Sequence, residues 1–287
     1  MDIIDFYSQE KFTFEDAVIP LGGAYDGHYF YIIDNYTKTI FKLKNNNIIK
    51  KIKLESKPTN IEIFENKIYI TSTNPNRIYI LDTDLNIINF INHSVTSPLI
   101  IKNDNKIYIP MIENVENGNF KSNILFLKPE NNTYILNYAN IKHPIDIINK
   151  DGVEYILNYY EGNIYKNLLT KQEFLIHINE YTTNIEVYKD KLLINSLNSG
   201  LYFYDIEKNE KEKILDVPIR DFAISPNQEY IYAISHIDNK LYIIKNKKIY
   251  QEIEVGSYPI DIEAPDNNII LILTTADQNL VTLRRFE

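Results

Sequence analysis

Cysteine is absent from all 287 residues. Disulfides, thiolate metal sites and a cysteine nucleophile are therefore excluded, while the redox compartment stays open. No apolar run reaches membrane-spanning length, so no membrane span is expected. The start, Met1 to Phe6, has neither a basic region nor a long apolar stretch and does not read as a signal peptide. That gives a cytoplasmic location for the chain as it stands, and an extracellular or surface one if a signal was trimmed. Arginine is confined to Arg77, Arg220, Arg284 and Arg285, the lysines are scattered, and the net charge is −9. Nucleic acid needs a continuous basic face, so it is not an expected partner. A Ser-His-Asp order, a glycine-rich phosphate loop and a His-Glu-x-x-His helix are all missing.

What is abundant is Ile, Asn, Lys, Tyr and Phe, in a pattern that repeats. Each unit has an apolar stretch opened by proline, a polar turn, an apolar run, a polar loop and a further run rich in Ile and Tyr. One copy begins at Pro58, turns at Glu65, Asn66 and Lys67, and ends near Asp82; another begins at Pro259 and turns at Pro265 to Asn268. Opening slots fall at Pro20, Pro58, Pro98, Pro144, Thr182, Pro218 and Pro259. β-Branched and aromatic residues fill runs of about 4–7 residues, which suits strands rather than helices. A period near ~40 with four strands per unit is a propeller signature. The expected fold is an all-β, seven-bladed propeller of four-stranded blades, one domain over residues 1–287.

After Pro259 too few residues remain for a whole unit, and residues 1–19 precede the first slot. The N-terminus is therefore expected to supply the outer strand of the last blade, which removes two open sheet edges.

Val255 to Ile262 followed by Pro265 to Asn268, and Ile224 to Gln228 followed by Tyr230 to Ala233, resemble the YVTN-type propeller repeat. The resemblance is crisp in the last two units and weaker elsewhere, with Asn often standing where the repeat has a turn glycine. It implies a propeller fold and transfers no catalytic residue. WD-repeat and quinoprotein propellers fit less well, because both rely on tryptophan and this chain has none.

In a propeller, the starts of the innermost strands and the loops joining second to third strands share one face. Positions two after each slot are Gly22, Asn60, Ile100, Asp146, Asn184, Arg220 and Asp261. With His143 and His236 from the same face they make a polar rim, and Asn60, His143, Asp146, Asn184, Arg220, His236 and Asp261 are the candidate ligand-binding residues. Two readings are open. Asp146 and Asp261 can accept hydrogen bonds or hold a cation and Arg220 can pair with an anion, or the same residues staple neighbouring blades. An inter-blade ion pair of Arg220 with Asp221 and Asp261 is one form of the second. The insertion at residues 111–123 either lids the channel or extends a hairpin. Asp82 and Asp84 fall at the opposite face, in a solvated turn.

The function expected is a non-catalytic binding module that receives a protein or small molecule at the channel mouth, with no cofactor. The alternative is a metal-dependent lactonase- or lyase-like enzyme using a divalent cation there.

Overall fold

The computed structural model describes residues 6–15, 19–93, 101–103, 106–115, 119–128, 133–138, 141, 143–166 and 172–286. Their strands form seven antiparallel sheets of four strands each. Six sheets use consecutive strands, within residues 20–53, 57–92, 101–138, 144–177, 182–215 and 221–254. The remaining one combines Pro259–Glu263, Ile269–Thr274 and Asn279–Phe286 with Phe6–Thr13 from the N-terminus. We number these sheets as blades 1 to 7 in that order.

A four-stranded sheet with apolar residues on both faces must be covered on both. The second and third strands are buried nearly throughout, as in Phe30–Asp34 and Gly200–Asp205, whereas outer strands such as Asn47–Lys53 are mostly exposed. Hydrophobic clusters sit between adjacent blades. One joins Ile33 and Ile40 of blade 1 to Ile61 and Ile70 of blade 2; another joins Leu273 and Leu280 of blade 7 to Phe30 and Phe41 of blade 1. Blades 2 and 3, 3 and 4, 4 and 5, 5 and 6, and 6 and 7 share similar clusters. Apolar burial, the dominant favourable term in folding, thus runs around a closed ring.

The N-terminal strand pairs with the last strand from Phe6 opposite Phe286 to Thr13 opposite Asn279. Beyond it, Phe14 is fully buried between blades 7 and 1 and its N–H bonds to the Gln278 carbonyl.

The slot of blade 6 needs correction. Asp221 lies opposite Ile234 and is followed by buried Phe222, just as Asp261 lies opposite Leu273 and is followed by Ile262. Ile219, rather than Pro218, therefore opens this strand, and Asp221 takes the position assigned to Arg220. The proline misled because it precedes the opening by one residue. The slot Pro98 and Ile100 lie outside the described residues. The insertion in blade 3 is a long hairpin, paired from Ile107 opposite Leu127 to Val115 opposite Asn119.

Candidate functional site

The innermost strand of each blade has one edge without a strand partner, so its backbone N–H groups need acceptors from elsewhere. The sequence provides them. A register shift follows the slots at Pro20, Pro58, Pro144, Thr182 and Pro259, between each slot residue and the position two further on. Such a bulge re-aims the next side chain. Asp146 of blade 4 accepts the N–H of Ile185 in blade 5 at 2.8 Å. Asp221 of blade 6 accepts from Ile262 in blade 7 at 3.4 Å, and Asp261 of blade 7 from Gly23 in blade 1 at 2.7 Å. Asn184 of blade 5 donates to Asp221 at 3.0 Å. Gly23 fits this joint because a Cβ there would meet the Phe30 ring at 2.4 Å.

A second tier ties the slots themselves. Asn35 donates to the Pro58 carbonyl at 2.8 Å, Asn195 to that of Ile219 at 3.0 Å and Thr275 to that of Pro20 at 3.0 Å. Asp146, Asn184 and Asp261 are thus inter-blade ties, and Asp221 is the tie that the sequence reading left beside the pattern. Its signal was available: an acidic residue immediately before an alternating apolar pair, Phe222 and Ile224, as Asp261 stands before Ile262 and Ala264.

Inside the ring lies a cavity of about 840 Å³. Among the described residues its lining includes six carboxylates, Glu62, Asp146, Glu186, Asp221, Asp261 and Glu263, and one cation, Arg220. Asn60 and Asn184 line it too. Burial pushes the Asp146 carboxyl well above the usual range, Glu186 and Glu62 push it further, and the N–H bonds from Ile185 and Ile147 oppose them. Asp221 and Asp261 are both raised, first by burial; the negative charge of Asp261 raises Asp221 further, while Arg220 lowers both. Each carboxyl is harder to ionise beside the other's charge, because two negative charges buried together repel. Glu186 is exposed to the channel yet ringed by protein, and burial raises it to about 7.

Arg220 is exposed at the mouth and makes no ion pair among the described residues. It acts by its field on Asp221, Asp261, Tyr159 and His236. In place of the expected Arg220 ion pair, Asp221 and Asp261 accept backbone N–H groups of Ile262 and Gly23.

Around the mouth the side chains are aromatic. Tyr159, Tyr160 and Tyr181 contact one another edge to face, with ring centroids 4.8, 5.8 and 6.2 Å apart. His143 meets Tyr160 at 4.6 Å and His236 meets Tyr258 at 5.3 Å. The two candidate histidines thus belong to the rim and not to the cavity lining. Burial, then Arg220, lowers the pKa of His236. Among the described residues no three His, Asp or Glu are grouped so as to hold a metal ion.

His143, Tyr181 and Tyr258 each precede an opening slot and each has positive φ, 50°, 57° and 58°. Bulky residues pay to sit there. Their carbonyls accept the N–H groups of Tyr159, Leu197 and Thr275, which seats the loops of the same face. Asp82 and Asp84 lie at the other end of blade 2: Asp82 caps its own turn and Asp84 pairs with Lys42.

The fold is that of a β-propeller. No family model matches the chain, and no curated protein matches it. Solved structures do. A streptogramin B lyase aligns over 98% of both chains at 15% identity and a TM-score of 0.79. The Cps50 (Swd1) β-propeller domain of Myceliophteria thermophila aligns over 95% of this chain and 98% of its own, at 10% identity and a TM-score of 0.75. A chain of a mitotic checkpoint complex aligns over 97% and 91%, at 9% identity and a TM-score of 0.74. At these identities the likeness is one of fold alone, shared by a lyase, a β-propeller domain and a chain of a protein complex.

Proposed function

We propose that this chain is a non-catalytic binding propeller that captures a partner protein at the channel mouth, and that its blades are of the YVTN type. The observation that carries the reading is the set of exposed apolar side chains at the mouth, most of the rest lying along outer strands. Ile19, Leu21, Tyr36, Tyr160, Tyr181, Ile237 and Tyr258 are between 36% and 64% exposed, and all lie at inner-strand starts or second-to-third-strand loops. Large apolar groups gathered on one face are a feature of interaction surfaces. The lining acids support the same reading, since Asp146, Asp221 and Asp261 are engaged in holding blades together. His143 and His236 pack in the aromatic rim, which favours binding over metal-dependent lyase chemistry. The YVTN assignment is supported by the Ser225–Gln228 turn. There Ser225 accepts the N–H groups of Glu229 and Tyr230, and Gln228 adopts φ 54° in place of a turn glycine.

The test is selection of random twelve-residue peptides against the folded protein, followed by rebinding to the Tyr160→Ala/Tyr181→Ala variant. Loss of rebinding with an unchanged melting temperature supports a mouth site. Selected peptides that bind the variant as well as the parent overturn it.

A further inference from the structure

We infer that the segment captured at the mouth is an extended peptide that lays apolar residues on the aromatic rim and passes one lysine or arginine side chain into the channel between blades 4 and 5. This deepens the binding reading above and rests on it.

The rim and the cavity differ in chemistry, and the ligand must satisfy both. The rim is apolar, with Tyr160 and Tyr181 half exposed over blades 4 and 5. On the inner strands of those blades, lining the cavity, stand Asp146 and Glu186. Glu62, on blade 2, is close enough to act on Asp146 through its charge, as is Glu186. The lining cation, Arg220, exerts its field on the Asp221–Asp261 pair of blades 6 and 7. Asp146 and Glu186 make no ion pair among the described residues.

An anionic ligand would meet several carboxylates, and a purely apolar one would cover them without a partner. A lysine or arginine side chain matches both layers. Its methylene stem packs on tyrosine rings while its charged tip reaches carboxylates. Glu186 is the group to meet it. It lines the channel and makes no ion pair among the described residues, and the backbone N–H of Val187 is the one group that favours its charged form. Asp146 already accepts two backbone N–H groups, from Ile185 and Ile147. A peptide rather than a free amine is indicated because the exposed apolar residues extend around the mouth to Leu21, Ile237 and Tyr258 on blades 1, 6 and 7.

Synthetic peptides with tyrosine and leucine flanks and Lys, Arg, Gln or Glu at the centre would be titrated against the parent, Glu186→Gln, Tyr160→Ala/Tyr181→Ala and, as a distant control, Glu207→Gln. Lys and Arg peptides should bind at least about tenfold tighter than the Gln peptide. Glu186→Gln should remove that preference, and Glu207→Gln should leave it. The preference should also fall as salt rises. Equal binding of Gln or Glu peptides that still depends on Tyr160 and Tyr181 overturns the cation and leaves the mouth site standing. Binding insensitive to the tyrosines overturns both. Absence of binding by every peptide, with the melting temperature of the parent normal, overturns the peptide inference.

Discussion

Asp261, on the inner strand of the last blade, accepts the backbone N–H of Gly23, on the inner strand of the first, at 2.7 Å. This bond spans the joint where the chain's two ends meet, and a carboxylate there does a structural task at the edge of the channel.

Replacing Asp261 with alanine leaves the Gly23 N–H without its acceptor. The expected cost is about 1–3 kcal/mol. Asn at the same position keeps an acceptor and removes the repulsion with Asp221, so Asp261→Asn should match or exceed the parent. Denaturant titration of the three proteins checks the order. A stable Asp261→Ala variant would show that this bond does not hold the joint.

Removal of residues 1–14 strips the outer strand of blade 7 and the buried Phe14. It exposes the edge of Asn279–Phe286 and opens the cluster between blades 7 and 1. Aggregation or a large fall in melting temperature is expected. A soluble truncation with unchanged melting would contradict closure by this strand.

Glu186 gives a pH signature. Its carboxyl is raised to about 7 in the folded chain, against an ordinary value of 4.5. The folded state holds this proton where the unfolded chain has released it, so the group's contribution worsens as pH rises from about 4.5 to about 7. Glu186→Gln should therefore melt like the parent at pH 4 and higher than the parent at pH 8. A difference of the same size at both pH values would show that glutamine acts through something other than charge.

Tyr258 combines exposure, a positive φ and a place in the rim. Asparagine tolerates that backbone better. Tyr258→Asn is expected to hold or raise the melting temperature while weakening peptide capture. A drop in stability would mean that the contact with His236 outweighs the backbone strain.

The sequence made much of this legible. Strands were readable because branched and aromatic residues recur between polar turns, and the closing strand because a short C-terminal unit and a surplus N-terminus complement each other. Asp146 and Asp261 stood out because each sits two after a proline slot. Asp221 did not, since Pro218 lies one residue too early. Stapling of neighbouring blades was one of the two readings the sequence left open, and it could not be chosen there because an inter-blade hydrogen bond depends on which backbone N–H the neighbouring blade brings within reach. The aromatic rim was also hidden. Tyr181 is separated from Tyr159 and Tyr160 by a whole strand pair, and tyrosine is common throughout the chain.

The central claim is that the acids hold the ring while the tyrosines at the mouth hold the ligand. The most direct measurement takes one selected peptide and determines its affinity and the protein's melting temperature together, for the parent and for Tyr160→Ala/Tyr181→Ala. The account predicts a loss of at least about tenfold in affinity with melting nearly unchanged. Unchanged affinity, or a loss that only follows a fall in stability, would contradict it.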